Sequence, residues 1–137
     1  IISDDDWFSV DGIKKVIEYA KNCDKDIICT PFYQVDTNTI YTEGKKPIDD
    51  SIYKYNYLNP ANLFRCKVWE DLGFTGEYGQ DWIFWAKAYK RGYAFDYVNI
   101  PTYFHRKKKN SLCRRQYAKF NNDMNKFREY IIGEVNK

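Results

Sequence analysis

The chain is 137 residues long, 44% hydrophobic and 30% charged, with a formal net charge of +3, which fits one ordinary globular domain with a single modest core. So small a charge does not by itself indicate nucleic acid, and no apolar run reaches the roughly 18 residues of a membrane span. Cys23, Cys29, Cys66 and Cys113 contain no CxxC pair and have one histidine for company, so they do not form a zinc ligand set.

Taken in order, Ile1 and Ile2 read as a strand end that empties into three consecutive carboxylates, Asp4, Asp5 and Asp6, ahead of Trp7 and Phe8. Like charges this close repel, and a hard cation such as Mg²⁺ or Mn²⁺ would make the cluster favourable; a solvated loop or the lead-in to a helix is the competing explanation. Ser9 is placed to N-cap a helix with Ile13, Val16, Ile17 and Ala20 on its apolar face, ending near Asn22. The β-branched and aromatic stretch from Asp26 to Val35, a polar break at Asp36 to Asn38, and Thr39 to Thr42 predict two strands joined by a turn. Gly44 to Asp50 reads as a loop, and Tyr53, Tyr55 and Tyr57 as an extended segment exposing one aromatic face.

Asn62 to Arg65 is a strand or turn, and Cys66 to Leu72 a short helix stopped by Gly73. After a polar loop, Asp81 opens an aromatic helix containing Trp82, Ile83, Phe84, Trp85 and Tyr89, with Lys90, Arg91 and Gly92 at its end. Tyr93 to Ile100 predicts a strand that Pro101 breaks, and Thr102 to Phe104 another, before the basic run His105 to Lys109. From Arg114 onward Phe120, Met124, Phe127 and Ile131 recur at helical spacing, which predicts one C-terminal helix over 114–137. The 19% aromatic content supplies both core volume and flat surfaces able to stack on sugars.

In order and spacing, the acidic strand end, the segment LFRCKVWEDLGF, the helix start in EYGQDWIFWAKAYKRGY and the late HRKKKNSLC resemble the C-terminal two-thirds of family-2 glycosyltransferases. The resemblance covers about residues 1 to 113. It implies an α/β domain, part of a GT-A fold with a mixed sheet flanked by helices, lacking the N-terminal nucleotide-binding βαβ portion. Residues 1–113 would then be its metal-binding and acceptor half.

The same resemblance makes Asp4 and Asp6 the ligands of a Mn²⁺ or Mg²⁺ ion bound to the diphosphate of a nucleotide-sugar, with Asp5 a ligand instead if the register slips by one, or a contact to the diphosphate. Asp81 inherits the catalytic base of the family's Glu-Asp pair, while Gln80 stands where the glutamate would be. Arg106, Lys108 and Ser111 fall at the late Arg, His and Ser positions, Lys108 replacing the histidine unless His105 slides into its place. Arg106 and Lys108 would hold the donor diphosphate, and Gln80, Trp82 and Tyr57 the acceptor.

The chemistry asks for such groups. Inverting transfer needs a carboxylate within reach of an acceptor hydroxyl, and positive charge for the departing diphosphate. The dipole of its helix is expected to lower the pKa of Asp81. The implied partners are a nucleotide-sugar donor, a glycan or other hydroxyl acceptor, and the missing N-terminal portion of the domain. The implied setting is polysaccharide biosynthesis, in the cytoplasm or at the inner face of a membrane, in keeping with free thiols and no signal-peptide pattern. The absent initiator Met and the abrupt start suggest a piece of a longer chain. Two other classes compete: a non-catalytic carbohydrate-interaction module that needs aromatic surfaces and no carboxylates, and a basic binder of nucleic acid or membrane surfaces acting through Lys107, Lys108 and Lys109.

Overall fold

A computed structural model of the protein describes residues 6–35, 39–41, 48–106 and 112–137, with the backbone alone described at 39–41, 112 and 113. Its elements are mixed α and β, in keeping with the α/β class. They divide into two compact units, one comprising Ile1–Pro47, Tyr57–Arg65 and Tyr93–Lys107, the other Ile48–Asn56, Cys66–Gly92 and Lys108–Lys137. No helix among the described residues is long and apolar enough to cross a membrane.

The first unit contains β1 (Trp7–Phe8), α1 (Val10–Lys21), β2 (Ile27–Cys29), β3 (Phe32–Gln34), β4 (Thr39–Tyr41), β5 (Leu63–Phe64), β6 (Phe95–Tyr97) and β7 (Tyr103–His105). Helix α1 starts where its sequence dictates: Ser9 Oγ accepts from the Gly12 N–H at 3.0 Å, a cap worth about 1 kcal/mol. Val16 is fully buried, and the chain leaves the helix at Asn22.

The described strands form two mixed sheets, in the orders β1-β7-β3-β4 and β5-β2-β6. In the first, β7 is antiparallel to β1 and parallel to β3, and β3–β4 is the expected hairpin, with Phe32 opposite Tyr41. In the second, β2 is antiparallel to β5 and parallel to β6, and its Ile27, Ile28 and Cys29 are all buried.

The expected strand from Asp26 to Val35 is in fact two, because the chain changes sheets at Thr30 and Pro31. A buried polar cluster fixes the crossing. The Thr30 N–H donates to Asn62 Oδ1 at 3.0 Å, the Thr30 and Thr102 hydroxyls share a 2.7 Å hydrogen bond, and Asn59 reaches the Thr30 carbonyl. Buried polar groups need such partners, and here they hold the break in place. The strand expected over Tyr93 to Ile100 shrinks likewise to Phe95–Tyr97.

The second unit is helical among its described residues: a 3₁₀ turn at Asp50–Tyr53, α2 (Cys66–Leu72), α3 (Gln80–Lys90), α4 (Leu112–Ala118) and α5 (Met124–Asn136). Helix α2 ends as expected, the Gly73 N–H returning to the Trp69 carbonyl at 2.9 Å. Helix α3 is the core element: Trp82, Ile83, Phe84, Trp85, Ala86 and Ala88 are all buried. Trp69, Phe74, Phe84 and Trp85 form a run of ring contacts at 4.6 to 4.9 Å between successive Trp69–Phe74, Phe74–Phe84 and Phe84–Trp85 centroids. Each such pair contributes on the order of 0.5–1.5 kcal/mol beyond the area it buries.

Two expectations are corrected in this unit. The residues before Tyr55 form a 3₁₀ turn rather than an extended stripe, because Asp49 caps it by accepting from the Ser51 N–H at 2.8 Å. The single C-terminal helix is two, because Asn121 and Asn122 both adopt left-handed backbone and Asp123 then caps a fresh helix start. Asparagine takes that conformation more readily than most residues.

Candidate active site

Asp81 lies in the first turn of α3, two residues after Gly79, whose left-handed φ of 61° starts the helix. Its carboxylate Oδ2 accepts from Asn56 Nδ2 at 2.9 Å. Burial pushes the carboxyl pKa up, against hydrogen bonds from the Trp82 and Asp81 backbone N–H groups and from Asn56 that pull it down. The helix start had suggested the opposite direction, but desolvation outweighs those bonds. A carboxylate that holds its proton more tightly is a stronger base.

The neighbouring positions divide. Gln80 is exposed, and its side-chain amide donates to the Gly76 carbonyl at 3.0 Å. Trp82 is only 5% exposed; its indole N–H donates to the Ile52 carbonyl and its ring meets Phe127 edge-on at 5.7 Å. As placed, Trp82 is a core residue that seats α3 and presents no open face to an acceptor. Asn56, the donor to Asp81, was not singled out in the sequence, where nothing marks one asparagine among tyrosines as the partner of a carboxylate 25 positions away.

In the other unit, Asp6 stands just before β1 and reaches the far end of β7. One oxygen accepts from the Arg106 backbone N–H at 2.7 Å, the other from the Tyr103 hydroxyl, and His105 Nδ1 lies 3.3 Å from the carboxylate. The Asp6 side chain is 1% exposed. The Asp6 carboxylate is thus already engaged by the Tyr103 hydroxyl and the Arg106 N–H, bonds with which a bound cation would compete. Asp4, Asp5, Lys107, Lys108, Lys109 and Ser111 lie outside the described residues.

Asp6 thus brings together two of the expected residues, Arg106 and the alternative His105. The Arg106 guanidinium rests 5.3 Å from the Trp7 ring centroid, and Trp7 in turn stacks on Phe104 at 5.5 Å with planes 14° apart. That cation–π contact, worth about 0.5–1 kcal/mol at an exposed site, orients the arginine. Tyr57 is 5% exposed, so its ring is buried rather than offered to an acceptor. Tyr103 provides the hydroxyl that closes on Asp6, and its place in a short aromatic strand is too common a signal to mark it in the sequence.

The sheets and helices of the two units agree with the α/β expectation and carry no further assignment. No protein-family model matches the chain, and a search of curated proteins finds no match.

Proposed function

We propose that the chain is the acceptor-side half of an inverting GT-A glycosyltransferase, in which Asp81 is the general base. The observation that carries the proposal is the placement of the Asp81 carboxyl: half-buried in the first turn of α3 and held by the Asn56 amide at 2.9 Å, with its pKa raised by desolvation. In the reaction an acceptor hydroxyl gives its proton to the Asp81 carboxylate while its oxygen bonds to C1 of the donor sugar. The nucleoside diphosphate leaves from the opposite face with the bonding electron pair, and the configuration at C1 inverts. Asn56 keeps the receiving carboxylate in one orientation.

The resemblance assigns to Arg106 and Lys108 the positive charge that a departing diphosphate requires. Asp6 supports that role from behind by holding the Arg106 backbone N–H. The Mn²⁺ or Mg²⁺ ion that the resemblance implies, with Asp4 and Asp6 as its implied ligands, would when bound neutralise charge on the leaving group. Gln80, exposed at the α3 start, is the acceptor contact.

The test is nucleotide-sugar turnover by the protein that carries this chain, with and without Asp81→Asn. The isosteric amide keeps an oxygen for Asn56 and cannot take a proton, so kcat falls by about 10²–10⁴-fold. Turnover undiminished by the substitution removes the assignment. Glycan binding that survives it, with no turnover in either protein, supports the non-catalytic module instead.

A further inference from the structure

We propose that Tyr130 is the positioning residue of the Asp81 site: its hydroxyl, on α5, fixes the loop from which α3 and its catalytic aspartate start. This rests on the reading of Asp81 as general base.

The loop has little of its own to hold it. Its N-cap is Gly79, which offers no side-chain oxygen to the first turn of α3. Instead the loop's backbone donors are met from the C-terminal helices. The Tyr130 hydroxyl oxygen accepts from the Glu77 N–H at 2.7 Å and from the Tyr78 N–H at 3.3 Å, and Gln116 Oε1 on α4 accepts from the Gly79 N–H at 3.3 Å. Three successive-region amides are therefore spoken for by two side chains more than 35 residues away in sequence.

Downstream, the loop couples tightly to the helix: Gln80 Nε2 returns to the Gly76 carbonyl at 3.0 Å and the Ile83 N–H to the Gly79 carbonyl at 2.9 Å. A shift at Glu77 and Tyr78 is thus carried into Asp81 within one turn. Small displacements matter, because misplacing a catalytic group by about 1 Å can cost on the order of a hundredfold in rate. The Tyr130 ring has its own packing, with Phe120 at 5.3 Å and Tyr78 at 5.9 Å between centroids, so phenylalanine retains the ring contacts and removes only the acceptor.

The experiment compares the wild-type protein with Tyr130→Phe by amide hydrogen exchange at Glu77 and Tyr78, by steady-state transfer kinetics and by the urea midpoint. The expected result is about tenfold faster exchange at both amides and a kcat about tenfold lower, with donor KM unchanged and the unfolding midpoint little moved. Exchange at the wild-type rate overturns the proposal, as does faster exchange with unchanged kcat. A fall in kcat that merely tracks a lowered unfolding midpoint overturns it too, because that is general destabilisation. Wild-type turnover by Asp81→Asn would remove the base reading, and this proposal with it, whatever the amides do; the two failures are therefore told apart by which variant keeps its activity.

Discussion

Replacing Gly79 by alanine isolates how tightly the start of α3 is built. The position has φ of 61°, a conformation that costs an L-residue about 1–2 kcal/mol. A Cβ added there would also lie 2.8 Å from Ile131 Cδ1 and 3.2 Å from Phe127 Cζ. Ile131 is fully buried, and Phe127 is braced by Trp82 at 5.7 Å and Phe120 at 5.0 Å, so neither yields freely. Overpacking of this kind adds about 1–3 kcal/mol, for a total of about 2–5 kcal/mol. Gly92 is the internal control: its φ is 77°, but an added Cβ meets nothing within 4 Å, so alanine there carries only the backbone cost of about 1–2 kcal/mol. Urea unfolding of the two variants measures the difference directly, at about 0.3–3 M in midpoint for a slope of ~1–3 kcal/mol/M. Equal destabilisation by Gly79→Ala and Gly92→Ala would refute the packing at the α3 start, and with it the precision claimed for Asp81.

Burial raises the folded pKa of Asp81 above its unfolded value of 3.8, so its contribution to stability is full below that value and is lost as pH rises through the folded pKa. Asp81→Asn has no such proton to lose; urea midpoints from about pH 4 to about pH 8 should therefore fall more in the wild type than in the variant, and parallel curves would contradict the burial. Asp6→Ala leaves the Tyr103 hydroxyl and the Arg106 N–H without their acceptor and should cost about 2–4 kcal/mol in chelator-treated buffer, with Asp6→Asn costing less. A carboxylate kept only for a metal would give a neutral or stabilising Asp6→Ala under those conditions. Burial pushes the Cys29 thiol up to about 12, whereas Cys66 is exposed; a thiol reagent at mild alkaline pH should label Cys66 in the folded protein and Cys29 only after unfolding, and prompt labelling of Cys29 would contradict its place in β2.

What could be read from the sequence was local. Ser9 three residues before Gly12, Gly73 after Leu72 and the polar break at Asp36 to Asn38 between two β-rich segments are each signals over a few residues, and α1, α2 and the antiparallel β3–β4 pair follow from them. What escaped was long-range. Thr30 breaks its strand because Asn62 and Thr102 are waiting for it, 32 and 72 positions away, and Asp6 is enclosed by groups 97 to 100 positions on. The helical periodicity of the tail was real, yet periodicity is blind to the two left-handed asparagines that cut it. The same blindness affects the site. Asp81 at a helix start suggests a lowered pKa from local chemistry alone, and only its burial, a property of the folded unit, reverses the direction.

The most direct test of the central claim is the rate of nucleotide-sugar consumption by the protein carrying this chain, measured for wild type and Asp81→Asn at equal concentration. A loss of about a hundredfold or more in kcat, with the variant as well folded as the wild type, is the predicted result. Equal rates would contradict it.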